Sequence, residues 1–110
     1  MNETLGEYIH NLRKEANMTV TKLAAALDLD QSTLSKIENR KRSVPQEVLP
    51  KLAEIFNLDN KELEREYFSE KIAEIIYREE DTTVLLRLAE KKAKHFKSKK
   101  IEQGTINYNK

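Results

Sequence analysis

The polar side chains between residues 31 and 42 are the part of this sequence best suited to surface chemistry. Gln31, Ser32, Thr33, Ser35 and Lys36 are short or flexible hydrogen-bonding groups, interrupted only by Leu34. Such groups match base edges in the major groove of DNA. Gln pairs two bonds with adenine, Lys reaches guanine O6 and N7, and Ser or Thr adapts to several edges. A helix starting at Gln31 would also bring amide donors and a dipole that favour a nearby phosphate. Lys36, Arg40, Lys41 and Arg42 form a basic cluster opposed only by Glu38.

Other chemistries find less support. Glu62, Glu66 and Glu70 lie one helical turn apart, but with no second set of ligands and no setting that raises a pKa they read as a solvated face. His10 and His95, the two histidines, fall on different predicted helices and read as isolated surface residues. The absence of cysteine removes disulfides, thiol nucleophiles and cysteine metal sites. Gly6 and Gly104 are the only glycines, so no glycine-rich phosphate loop exists. No nucleophile has a base and an orienting group beside it. The expectation is a non-enzymatic chain with no cofactor and no metal.

Helices must position the polar run. Thr4 caps a first helix to about Ala16, with the stripe Leu5, Tyr8, Ile9 and Leu12, and Asn17 suits a left-handed stop. Thr19 opens a second helix to about Leu27, and Asp30 caps a third to about Asn39, its carboxylate expected on the first-turn amides. Pro45 suits a helix start, but Pro50 defers regular helix to about Leu49, and that helix runs to about Phe56. Asp59 and Glu62 form a capping-box-like start to a helix reaching about Arg78, and Asp81 caps a last one to about Lys97. Tyr8, Tyr67 and Tyr77 fall in or beside apolar stripes and read as core or interface residues.

Composition agrees with a small helical protein. Of 110 residues, 38% are hydrophobic and 35% charged, against about 45–50% and about 25% in ordinary domains, so one modest core is within reach. Two glycines are too few for the hairpins of a β-sandwich. The longest apolar run, Leu23 to Leu27, is far short of a membrane span, and no signal-peptide pattern opens the chain. A soluble cytoplasmic, nucleoid-associated protein is expected. The net charge of +1 hides segregation: residues 54–81 carry ten acidic groups against four basic, and residues 84–110 eight basic against two acidic.

Residues 20–39 carry the helix-turn-helix pattern. Leu23, Leu27, Leu29, Leu34 and Ile37 supply its apolar positions, and Ala24 sits where the two helices come closest. Here the sequence resembles the Cro and phage-repressor type of regulators, the XRE family, over roughly residues 5–58. The resemblance rests on KLAAALDLDQSTLSKIENRKR followed by LPKLAEIFNLD. It implies an all-α, lambda-repressor-like helix-turn-helix domain of four to five helices, followed here by a C-terminal helical hairpin. It also implies double-stranded DNA as partner, base reading by Gln31, Ser32 and Lys36, and phosphate contact by Thr33, Asn39, Arg40, Lys41 and Arg42. Arg13 and Glu38 match the family's buried ion pair. Three positions depart from the pattern: Val20 replaces a buttressing Gln, and Asp28 and Arg40 replace glycines.

The expected organisation is a DNA-binding domain over 1–58, a helical extension over 59–97 and a basic mobile tail over 98–110. On the fifth helix Leu63 and Tyr67 face one way, towards the DNA-binding domain, and Phe68, Ile72, Ile75 and Ile76 another. The second group can pair with Leu85, Leu88, Ala89 and Phe96 of the sixth helix, within one chain or across a homodimer. A dimer would read a palindrome, most simply as a repressor or autoregulator. The alternative is an antitoxin or adaptor whose fifth and sixth helices hold a partner protein. Lys91, Lys92, Lys94, Lys97, Lys99 and Lys100 either favour the helix dipole as a solvated end, or add phosphate contacts or pair with the acidic block.

Overall fold

A computed structural model describes residues 3–99. Its helices are α1 (Leu5–Glu15), α2 (Val20–Ala26), α3 (Gln31–Glu38), α4 (Leu49–Phe56), α5 (Asn60–Ile76) and α6 (Thr82–Ser98), with a 3-10 turn at Gln46–Val48. The architecture of the described residues is all-helical. Beyond Ser98 and Lys99, the tail predicted over 98–110 lies outside them.

The first four helices end in the same kind of turn. Asn17, Asp28, Arg40 and Asn57 have φ of 55°, 57°, 63° and 54°, in the left-handed region. After each, the next amide reaches back five residues: Met18 to the Arg13 carbonyl, Leu29 to Ala24, Lys41 to Lys36 and Leu58 to Ala53, at 2.8–3.0 Å. These bonds satisfy carbonyls that a helix end would otherwise leave open. Asn and Asp tolerate this conformation best after glycine, which lets the chain turn with so few glycines. Arg40 adopts the conformation of the glycine it replaces, and α3 stops at Glu38.

Starts are set locally as well. Thr4 and Glu7 form a reciprocal capping box: Thr4 Oγ1 accepts from the Glu7 amide at 3.1 Å, and Glu7 Oε1 from the Thr4 amide at 2.9 Å. Thr19 caps α2 through the Lys22 amide, and Asp81 caps α6 through Val84. Asp30 stands at the N-cap of α3, but its side chain makes no capping bond, contrary to expectation. Asp59 accepts from the Lys61 amide at 2.9 Å. Pro50 falls in the first turn of α4, where its missing N–H has no helical partner to lose.

Contacts group the described residues into two units that divide between Ala73 and Glu74, inside α5. The first unit has the core. Leu5 and Ile9 of α1, Leu23 of α2, Leu34 and Ile37 of α3, and Leu49 and Leu52 of α4 are all buried to within 1%. Leu63 of α5 joins them, with Tyr67 packed alongside. Glu70 reaches further: its Oε1 accepts the Leu5 amide at 2.7 Å, capping α1 from another helix. This corrects the reading of Glu70 as part of a merely solvated face. In the second unit Ile75, Tyr77, Val84, Leu86 and Leu88 are exposed.

Candidate nucleic-acid interface

Helix α3 has two unlike edges. Leu34 and Ile37 are 0% and 1% exposed, locked against α1 and α2, while Gln31, Ser32, Lys36 and Asn39 are exposed and Thr33 and Ser35 half-buried. Ala24 of α2 is buried, as is Leu27, and Leu29 packs partly against the core. Gly6 lets α1 lie against the end of α3, since a Cβ there would overlap the carbonyl oxygen of Ile37.

A buried ion pair ties the same helices together. Arg13 donates from Nε to Glu38 Oε2 at 2.8 Å and from Nη2 to Oε1 at 3.0 Å. Its Nη1 donates to the Met18 carbonyl at 2.8 Å, bracing the turn into α2. His10 Nδ1 lies 2.7 Å from Glu38 Oε1, so His10 belongs to this cluster and is not an isolated surface residue. Burial pushes the Glu38 carboxyl up. Hydrogen bonds from Arg13 and His10, with their charges, outweigh it and hold the carboxyl below the ordinary carboxylate range. The bond to Glu38 raises the pKa of Arg13 against the opposing effect of burial.

The electrostatic consequence falls on the surface. Glu38 is the one acid within the Lys36–Arg42 segment, and it is turned inward and paired. Lys36, Lys41 and Arg42 are exposed. Arg40 Nε lies 3.3 Å from Glu7 Oε2, in an exposed pair that salt and solvent weaken. Asn39 donates from Nδ2 to the Ser35 carbonyl at 2.9 Å, holding it close to the end of α3. Thr21 of α2 donates from Oγ1 to Gln31 Oε1 at 2.8 Å.

Thr21, His10 and Glu70 escaped the sequence reading. His10 had a local signal, standing three residues before Arg13 on one helix side. The other two act across elements and leave no such trace. Phe68, Ile72, Ile75 and Leu88 remain 47–68% exposed, Ile76, Leu85 and Phe96 less so. Among the described residues no group of His, Asp or Glu is arranged to hold a metal ion, and no helix is long and apolar enough to cross a membrane.

The geometry leaves a helix with a polar edge outward and a basic rim, on a core of packed helices. A family profile described as helix-turn-helix matches residues 9–63, half of the 110-residue chain. No curated protein and no solved structure matches the chain. The matched span runs from Ile9 to Leu63, both core residues, and encloses α2 and α3 whole. The chain therefore belongs to the XRE type of helix-turn-helix proteins, a family of DNA-binding transcription regulators.

Proposed function

We propose that this protein is a homodimeric repressor, acting in the simplest case on its own gene, that reads a palindrome through the major groove. Helix α3 supplies the base contacts through Gln31, Ser32 and Lys36. Thr33, Asn39, Lys41 and Arg42 hold phosphates, and Arg40 exchanges its weak pair with Glu7 for another. The observation that carries this reading is the edge of α3 on which Gln31, Ser32 and Lys36 are exposed while Leu34 and Ile37 on the opposite edge are sealed in the core.

Residues 1–58 then serve as the reading domain, and 59–97 hold two copies together. Phe68, Ile72 and Ile75 recur at helical spacing on α5 and are 47%, 47% and 68% exposed, a stripe that favours a protein partner. A second copy is the simplest occupant, because two reading helices about 34 Å apart match successive turns of one DNA face. An unrelated partner protein is the second reading, and the same stripe favours it.

Selection of bound duplexes from a random pool, followed by footprinting upstream of the gene, tests the proposal. A palindromic consensus is expected, with log K falling against log salt at a slope of about −7 to −9 for eight to ten phosphates. No consensus, or a slope shallower than about −2, would refute it.

A further inference from the structure

Three turns of α5 are fastened to the helices that precede it. Leu63 is 3% exposed in the core, Tyr67 packs against that core, and Glu70 Oε1 accepts the Leu5 amide at 2.7 Å. That amide is one of those a helix start leaves without an internal partner, and a carboxylate suits it by charge as well as by hydrogen bonding. The capping box of α1 is already spent on other amides, those of Thr4 and Glu7, so Glu70 supplies what α1 does not provide for Leu5. The next residue, Gly6, lies against the Ile37 carbonyl oxygen at the end of α3. One turn of α1 therefore stands between α5 and α3, held by a hydrogen bond on one side and by close backbone packing on the other.

Phe68 and Ile72 each lie two residues from Glu70, about 200° round the helix, and both are 47% exposed. The same stretch of α5 thus grips α1 with one side and presents the apolar stripe with the other. We propose that Glu70 is a positioning residue that fixes the angle between that stripe and α3, and so sets which half-site spacing the dimer accepts. This rests on the reading of the stripe as the contact between two copies. Each base pair added between half-sites turns one about 34–36° relative to the other. A stiff link from stripe to α3 penalises that turn, and a link free to swing tolerates it. Glu70 is half-buried and lies outside the apolar core, so the core does not depend on its carboxylate.

The test compares the full chain with Glu70→Ala and Glu70→Gln on a single half-site, on the selected palindrome, and on that palindrome with one base pair added or removed at its centre. The parent should lose about 10-fold or more at the altered spacings. Glu70→Ala should lose about 3-fold or less there, while its single half-site affinity and its sedimentation match the parent. Glu70→Gln, whose amide oxygen still accepts the Leu5 N–H, should keep the parent preference. A general structural loss would lower the thermal midpoint and the half-site affinity and leave the ratio between spacings alone; that outcome overturns the role of Glu70. A Glu70→Ala ratio equal to that of a parent with a clear spacing optimum also overturns it, as does Glu70→Gln proving as permissive as Glu70→Ala. A parent that binds the palindrome no better than one half-site removes the dimeric reading and this inference with it.

Discussion

Arg13 grips Glu38 with two nitrogens across 25 residues of sequence, at 2.8 and 3.0 Å, and both side chains are buried. A third nitrogen holds the Met18 carbonyl, so one guanidinium joins the end of α1, the turn into α2 and the end of α3. Such a pair fixes geometry more than it stabilises, because desolvation offsets most of the attraction. Breaking it from one side is another matter. Arg13→Met would leave the Glu38 carboxylate buried beside His10 alone, and should lower unfolding free energy by about 3–5 kcal/mol in urea. The Arg13→Met/Glu38→Leu double variant should recover most of that loss, and an equal loss in the double would contradict this account.

Acid should undo the same contact. The folded Glu38 carboxyl titrates below the ordinary carboxylate range, whereas in the unfolded chain it returns to about 4.3. A depressed folded value means stability that is complete above the unfolded pKa and lost as pH falls through the folded one. Thermal midpoints followed from about pH 7 to about pH 3 should therefore fall less steeply for Glu38→Gln than for the parent. Parallel curves would remove Glu38 from the acid response.

Gly6 should be irreplaceable for a reason unrelated to turns. Alanine would improve helix propensity by about 1 kcal/mol. Its Cβ would overlap the Ile37 carbonyl oxygen, a backbone atom inside α3 that cannot swing aside. Overpacking of this kind costs about 1–3 kcal/mol, so the clash should win. The expected outcome for Gly6→Ala is a lower urea midpoint, with α1 displaced from the end of α3; a raised midpoint would show that the helices yield freely.

Much of this fold was legible because its determinants are local. Thr4 and Glu7 are three residues apart and announce their capping box, Asn17 announces a left-handed stop, and the spacing of Leu23, Leu27, Leu34 and Ile37 describes a buried seam. Asn57 makes the same kind of stop at the end of α4. Contacts between distant residues were legible only where the family resemblance supplied them, as for Arg13 and Glu38. Glu70 caps α1 from 65 residues away, and in sequence it looks like any other glutamate of an acidic helix. Thr21 likewise resembles a solvent-facing threonine until α3 brings Gln31 to it. Asp30 failed in the opposite sense: its type and position suit a cap, yet backbone geometry alone starts the helix.

Arg40 should trade stability against binding. A non-glycine residue at φ 63° carries a steric cost of about 1–2 kcal/mol. Glycine relieves it but adds freedom to the unfolded chain, which takes back about 0.4–1 kcal/mol. The exposed pair with Glu7 contributes little. Arg40→Gly should therefore raise stability by about 0–1.5 kcal/mol while weakening all duplexes alike, and the loss of one phosphate contact in each subunit of the dimer should flatten the salt slope by about 2. Gain of stability with unchanged DNA affinity would remove Arg40 from the phosphate contacts.

Ile72 lies at the centre of the exposed stripe on α5, between Phe68 and Ile75. Because it is 47% exposed in the single chain, Ile72→Glu should leave the core of Leu5, Leu23, Leu34 and Leu52 intact and the helical content unchanged, while the thermal midpoint loses the concentration dependence that subunit association gives the parent. Across a dimer interface the same carboxylate would be buried without a cation and beside the like charge of its symmetry mate, a cost of several kcal/mol. Sedimentation should then report a monomer where the parent sediments as a dimer. Affinity for the two-half-site palindrome should collapse towards that for one half-site, because the second reading helix no longer arrives with the first. A variant that still sediments as a dimer would place the subunit contact elsewhere. A parent that is monomeric alone but copurifies with a stoichiometric partner would assign the stripe to that partner.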